Sequence, residues 1–201
     1  MTTMLEIMNA ALLAQGQEEI VSRDDGSTEF RILTRNWPMI VEAELEDGNY
    51  QFSRYEYHLA QQGPGSFGYL YGYALPSGVL HVRHAWTLED AARADVDWAQ
   101  NGREVLTSAE NGISVEAIVT TEPDLWSANF TKGVQAKLEA VILRSVKEEA
   151  SESIQMDRVA EIHFERARVR SSQARKEKPM HRKEARFVAA RFGRGVGHGE
   201  A

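Results

Sequence analysis

Apolar residues recur at steps of three and four between Asp124 and Ala150. Phe130, Val134, Leu138, Val141, Ile142 and Val146 fall on one stripe, which predicts a helix with one buried side. At roughly 20 residues it would span about 30 Å, enough to cross a small domain. Ser127 stands at the cap position, and Pro123 bars an earlier start. Lys132, Lys137, Glu139, Lys147 and Glu148 lie off the stripe and are predicted to face water. The rest of the chain must pack on this helix.

Two helices precede it. Thr2 to Gln15 carries Leu5, Met8, Leu12 and Leu13 on one face, with Thr2 or Thr3 as cap and Gly16 as stop. After the Asp24-Asp25-Gly26-Ser27 turn, Ser27 or Thr28 opens a second helix to about Asp47, with Phe30, Leu33, Trp37, Ile40, Val41 and Leu45 on its face. Pro38 lies inside it and predicts a kink, or a break near Asn36. A helix from about Ser153 to Gln173 follows the central one, its face drawn from Met156, Val159, Ala160, Ile162, His163, Ala167 and Val169, with Phe164 on the surface. The predicted core is Leu12, Trp37, Trp126, Phe130, Val134, Leu138 and Val141.

Between Tyr50 and Glu122 the period drops to two. Gln51–Leu59, Tyr69–Pro76 and Val79–Trp86 read as strands, the last two joined by Pro76-Ser77-Gly78. Glu89 to Asp97 reads as a helical turn. Trp98, Val105-Leu106 and Val115–Thr120 read as a meander with turns at Asn101-Gly102 and Asn111-Gly112. The tyrosines and phenylalanine at 50, 52, 55, 57, 69, 71 and 73 suggest a sheet face packed on the helices; a base-stacking platform is the rival, disfavoured by the acidic surroundings. The predicted fold class is α+β: a helical bundle (residues 1–49 and 123–173), an inserted antiparallel β-rich region (50–122) and an extended C-terminal arm (174–201).

Charge changes the picture at the end. The net charge is −7, yet Arg166 to Ala201 holds 11 Lys/Arg against 3 Asp/Glu, a net +8; the first 165 residues therefore carry −15. An acidic body with a basic tail seeks acidic protein surfaces or nucleic acid. Phe187, Val188 and Phe192 lie among Arg182, Arg186, Arg191 and Arg194. An electrostatic tail has no need of buriable aromatics, so these residues read as the anchors of a docking arm, otherwise flexible in the free protein.

Candidate chemistry is sparse. The chain has no cysteine, hence no disulfide, thiolate metal site or cysteine nucleophile. Its apolar runs fall short of the ~18 residues of a membrane span, so it reads as soluble and unexported. The six histidines lack metal-ligand spacing, and His81 and His84 should face opposite sides of a strand. Gly63–Gly68 is glycine-rich but lacks the Gly-Lys-Ser/Thr ending of a phosphate loop. No catalytic or metal residue is assigned, and no cofactor.

The order of motifs points further. Asn9–Gly16 lies in the first helix, and Tyr55-x-x-x-Leu59-Ala60 follows the second. Then come Tyr69-x-Tyr71-x-Tyr73-Ala74-Leu75-Pro76-Ser77-Gly78-Val79-Leu80-x-Val82, Trp98 to Gly102, and Val119 to Phe130 with its Trp126-x-x-x-Phe130 opening. Over residues 1–150 this resembles the head-to-tail adaptor family of tailed phages and gene transfer agents, which includes tail tubular protein A of short-tailed phages. Pro38 departs from the pattern. The resemblance implies a structural protein of the virion rather than an enzyme. It implies a ring of about twelve identical subunits beneath the portal protein, above a tail nozzle or tail terminator protein. Double-stranded DNA would pass through the lumen unread. The predicted faces leave no long apolar seam, so contacts between copies should be polar and weak, and the free protein monomeric. A nucleic-acid-binding module using the Arg-rich tail is the alternative, and a small enzyme of unrecognised type the third reading.

Overall fold

Thr3 starts the fold with a reciprocal cap. In the computed structural model, which describes residues 2–22, 26–89 and 92–174, the Thr3 Oγ1 accepts from the Glu6 amide at 3.2 Å while the Glu6 carboxylate accepts from the Thr3 amide at 2.7 Å. Helix α1 (Met4–Ala14) follows and buries Ile7, Met8, Ala11 and Leu12. Ser27 caps α2 (Thr28–Gly48), and Asn49 ends it in the left-handed conformation. The break expected near Asn36 does not occur: α2 runs unbroken through Pro38. Pro38 and Thr34, whose carbonyl loses its amide partner, both face solvent, where water can replace the bond. The Asn36 side chain also donates to the Ile32 carbonyl at 2.8 Å, which supports the same turn.

The central helix α3 (Ala128–Ser145) forms as its pattern predicts, with Ser127 Oγ accepting from the Phe130 amide. It packs against α1, α2 and α4 (Ala150–Gln173). Leu12, Phe130, Val134 and Leu138 are fully buried in this core and Trp126 nearly so; Trp37 and Val141 are half-buried. At this turn Ala140, Ile142 and Leu143 take the deep positions instead of Val141. Glu139, expected to be wet, is buried, because Gln15 (3.1 Å) and Gln135 (3.0 Å) each donate to one of its carboxylate oxygens. Phe164, expected at the surface, is also buried; Gly133 leaves room for its ring, which a Cβ there would overlap.

That close approach makes a prediction. Gly133→Ala gains about 1 kcal/mol of helix propensity but overpacks the core by about 1–3 kcal/mol. We expect net destabilisation in urea titration, relieved when Phe164→Leu is added. A more stable single variant would show that α3 and α4 can separate freely.

The β region departs most from expectation. Its described residues form eight strands: β1 (Arg54–Leu59), β2 (Gly63–Pro64), β3 (Tyr71–Ala74), β4 (Val79–Glu89), β5 (Ala92–Asp95), β6 (Trp98–Asn101), β7 (Glu104–Thr107) and β8 (Ile113–Val119). They form two antiparallel sheets, β1-β8-β4-β5 and β2-β3-β7-β6. Thus β3 and β4 are neighbours in sequence but lie in different sheets. The helical turn expected over Glu89–Asp97 is instead β5, paired with β4 so that Trp86 faces Asp95. Pairing and the Arg93 guanidinium, 4.1 Å over the Trp86 ring, override the propensity of this Ala-rich stretch. The meander holds for the β6–β7 hairpin but ends at Asn111-Gly112, both at positive φ, where the chain crosses to the other sheet.

Leu59, Tyr73, Leu75, Val82, Val105 and Val115 belong to a second core formed between the sheets. The aromatics therefore do not form one face on the helices. Tyr73 is buried in the β core, whereas Tyr50 and Phe52 pack with Phe130. Ile118 and Leu80 carry sheet β1-β8-β4-β5 onto the helical core. The arm residues Arg182, Arg186, Phe187, Val188, Arg191, Phe192 and Arg194 lie outside the described residues.

Candidate interaction surface

The segment leading into α3 builds the most distinctive surface. Pro123–Leu125 makes one 3₁₀ turn, and Trp126 follows in extended conformation. The indole N–H donates to Thr121 O (3.1 Å) and Oγ1 (3.2 Å), which fixes the ring. One side of that ring stacks on Trp37, centroids 5.6 Å apart, while its edge meets Phe130. Trp126 therefore stands as a wall between two grooves. The larger, about 620 Å³, is floored by Met4, Leu5, Phe30 and Trp37, with exposed Glu122 and Asp124 on its lining. The smaller, about 400 Å³, is bounded by Phe52, Leu125, Ala167, Ser171 and Ala174.

A polar clamp fastens α4 beside the smaller groove. Arg168 donates to both oxygens of Glu44 (2.9 and 3.0 Å) and to Glu161 (2.9 Å); the Tyr50 hydroxyl donates to Glu44 at 2.5 Å. The Gln51 amide donates to Ser171 Oγ at 2.6 Å. Burial, then the hydrogen bond to Glu44, pushes the Tyr50 phenol well above its ordinary range, so it remains a donor. Burial likewise raises the Glu44 carboxyl, against the pull of Tyr50 and Arg168. With Glu44 only 11 % exposed, this is a positioning device joining α2 to α4 across 124 residues of sequence. No local motif foreshadows it, since its members come from three separate elements.

The outward side of α4 corrects another expectation. Ile154 (53 %), Ile162 (48 %) and Val169 (52 %) are exposed, and Val159 (38 %) flanks them. At 100° per residue the first three fall within one 80° arc, opposite the buried Ala160, Phe164 and Ala167. Three apolar side chains are therefore left over on the outward face, interrupted by the exposed Arg158 and Glu165. They escape the sequence pattern because α4 has apolar residues on both sides.

The remaining sequence candidates stay apart. His81 and His84 both lie on β4, opposite Ile118 and Glu116, and His58 contacts Ser114 Oγ at 3.3 Å. His163 has its pKa lowered by burial and by Arg166 and Lys132. Gly63-Pro64 pairs with Tyr71-Gly72, which makes that stretch part of a sheet edge. Among the described residues no three His, Asp or Glu side chains gather as a metal site, and no helix is long and apolar enough to cross a membrane. Compared with known proteins, the chain matches no family model and no curated protein.

Proposed function

We propose that this protein is a head-to-tail adaptor of a virion, a structural subunit that rings the DNA exit beneath the portal protein and receives the tail nozzle or terminator below. The observation that carries this reading is the order of elements: two helices, a β insert, two further helices, then a basic, aromatic-bearing segment. The same order underlies the motif resemblance. In this reading the four helices act as the bundle that frames the ring, and the −15 charge of residues 1–165 suits a conduit that must not hold DNA. About twelve copies would enclose the lumen.

The test mixes purified protein with DNA-filled, portal-bearing heads and looks for added ring density at the portal vertex by electron microscopy. Failure to bind, together with duplex binding that weakens steeply with salt, would replace this reading by the nucleic-acid module that the +8 tail also suits.

The apolar side chains left over on α4 supply a contact between copies. Ile162→Glu should leave the melting temperature within about 2 °C of the parent, since exposed substitutions shift stability by about ±0.5 kcal/mol. It should nevertheless reduce ring occupancy on heads severalfold, because the contact would have to strip water from a carboxylate and from the Arg158 and Arg166 beside it. Normal occupancy would place the contact elsewhere.

A further inference from the structure

We propose that the grooves flanking Trp126 are the resting seat of this chain's own C-terminal segment, with Phe187 and Phe192 as anchors. The inference rests on the adaptor reading only in using the same anchors, which would be covered until a partner competes for them.

Three observations converge. The last described residue, Ala174, itself lines the smaller groove, so the chain leaves α4 on the surface in question. Both grooves are apolar, at Met4 and Trp37 in the larger and at Phe52 and Leu125 in the smaller; the larger carries the acidic side chains Glu122 and Asp124, the smaller Arg170. The segment from 175 onward has the matching character: aromatic residues spaced among arginines, with 8 Lys/Arg against 3 Asp/Glu. Arginines beside Phe187 and Phe192 can pair with those carboxylates, or stack on Trp37 and Trp126.

Reach and concentration favour the same chain over a second copy. Thirteen Cα-to-Cα steps lead from Ala174 to Phe187. Extended, they span about 43 Å, ample for grooves that share the Trp126 wall. A short tether holds the segment at an effective concentration of about 1 mM, far above that of another molecule in a micromolar solution. Leu125, half exposed on the described surface, is the position the seated segment would cover.

The chain has no cysteine, so a single thiol can report on this position. In the full-length protein, Leu125→Cys should react with iodoacetamide about tenfold more slowly than the same thiol in a Phe187→Ala/Phe192→Ala background, at every protein concentration. The two alanines lie outside the described core, so the fold is kept. Equal rates would overturn the proposal. So would protection that grows with protein concentration, since the occupant would then be a second copy. If the thiol is free yet the protein still joins heads, the resting seat falls and the adaptor reading stands. A protected thiol in a protein that ignores heads has the reverse meaning.

Discussion

Phe130→Ala should lower stability by about 3–5 kcal/mol. Among the described residues no other side chain meets so many aromatic rings. Its fully buried ring meets Tyr50 and Trp126 at 4.8 Å, Phe52 at 5.2 Å and Phe164 at 5.6 Å between centroids. Edge-to-face pairs of this kind contribute about 0.5–1.5 kcal/mol beyond burial, and alanine removes all of them at once. The void would lie among the rings of Tyr50, Phe52, Trp126 and Phe164, where α4 cannot collapse without moving its Arg168–Glu44 clamp. For a chain of this length the change corresponds to a fall of roughly 6–20 °C in melting temperature. Calorimetry on the variant, with Ile154→Ala as the exposed control, measures it. A shift below about 1 kcal/mol would mean that α3 is not the organiser of the fold.

Deleting Pro179–Ala201 should lower the melting temperature by only about 3–6 °C, the loss of a tenfold resting seat, and abolish joining to heads. The last buried core residue among those described is Ala167, twelve positions before the cut, so no described packing is lost. What is lost is the set of anchors: two phenylalanines and a valine, each contributing about 1.5–3 kcal/mol when fully buried, besides the arginines. Ordering the segment costs about 1–2 kcal/mol per residue of backbone, so only a short stretch can be held. Even a net 4 kcal/mol corresponds to roughly a thousandfold in affinity. Co-sedimentation with portal-bearing heads measures it. If the shortened chain joins them at the normal level, the arm is only solvated tail and the docking surface lies elsewhere.

Local signals were legible in the sequence and partner choice was not. The Ser127 cap, the Thr3 cap, the end of the second helix near Asp47 and the turns at Gly102 and Gly112 depend on a few adjacent residues, and all appear. Period identified six of the eight described strands, missing Gly63–Pro64 and Ala92–Asp95, and could not say that Tyr71–Ala74 pairs with Glu104–Thr107 while Val79–Glu89 pairs with Ile113–Val119. Nor does a single stripe describe a helix flanked by three others. Glu139 and Phe164 are buried because of Gln15 and Gly133, partners far off in sequence. The clamp and the Trp126 grooves were hidden for the same reason.

Helices α1 and α2 find their main partner in α3, and about 80 residues separate the end of α2 from its start. A ribosome working at ~5–20 residues per second needs roughly 4–16 s to cross that interval. Throughout it, Leu12, Leu33 and Leu45 have no surface to cover them, although the β insert can already begin to close through its own hairpins. The N-terminal quarter of the protein is thus made early and protected late, and it is the stretch a holding chaperone would meet in the cell.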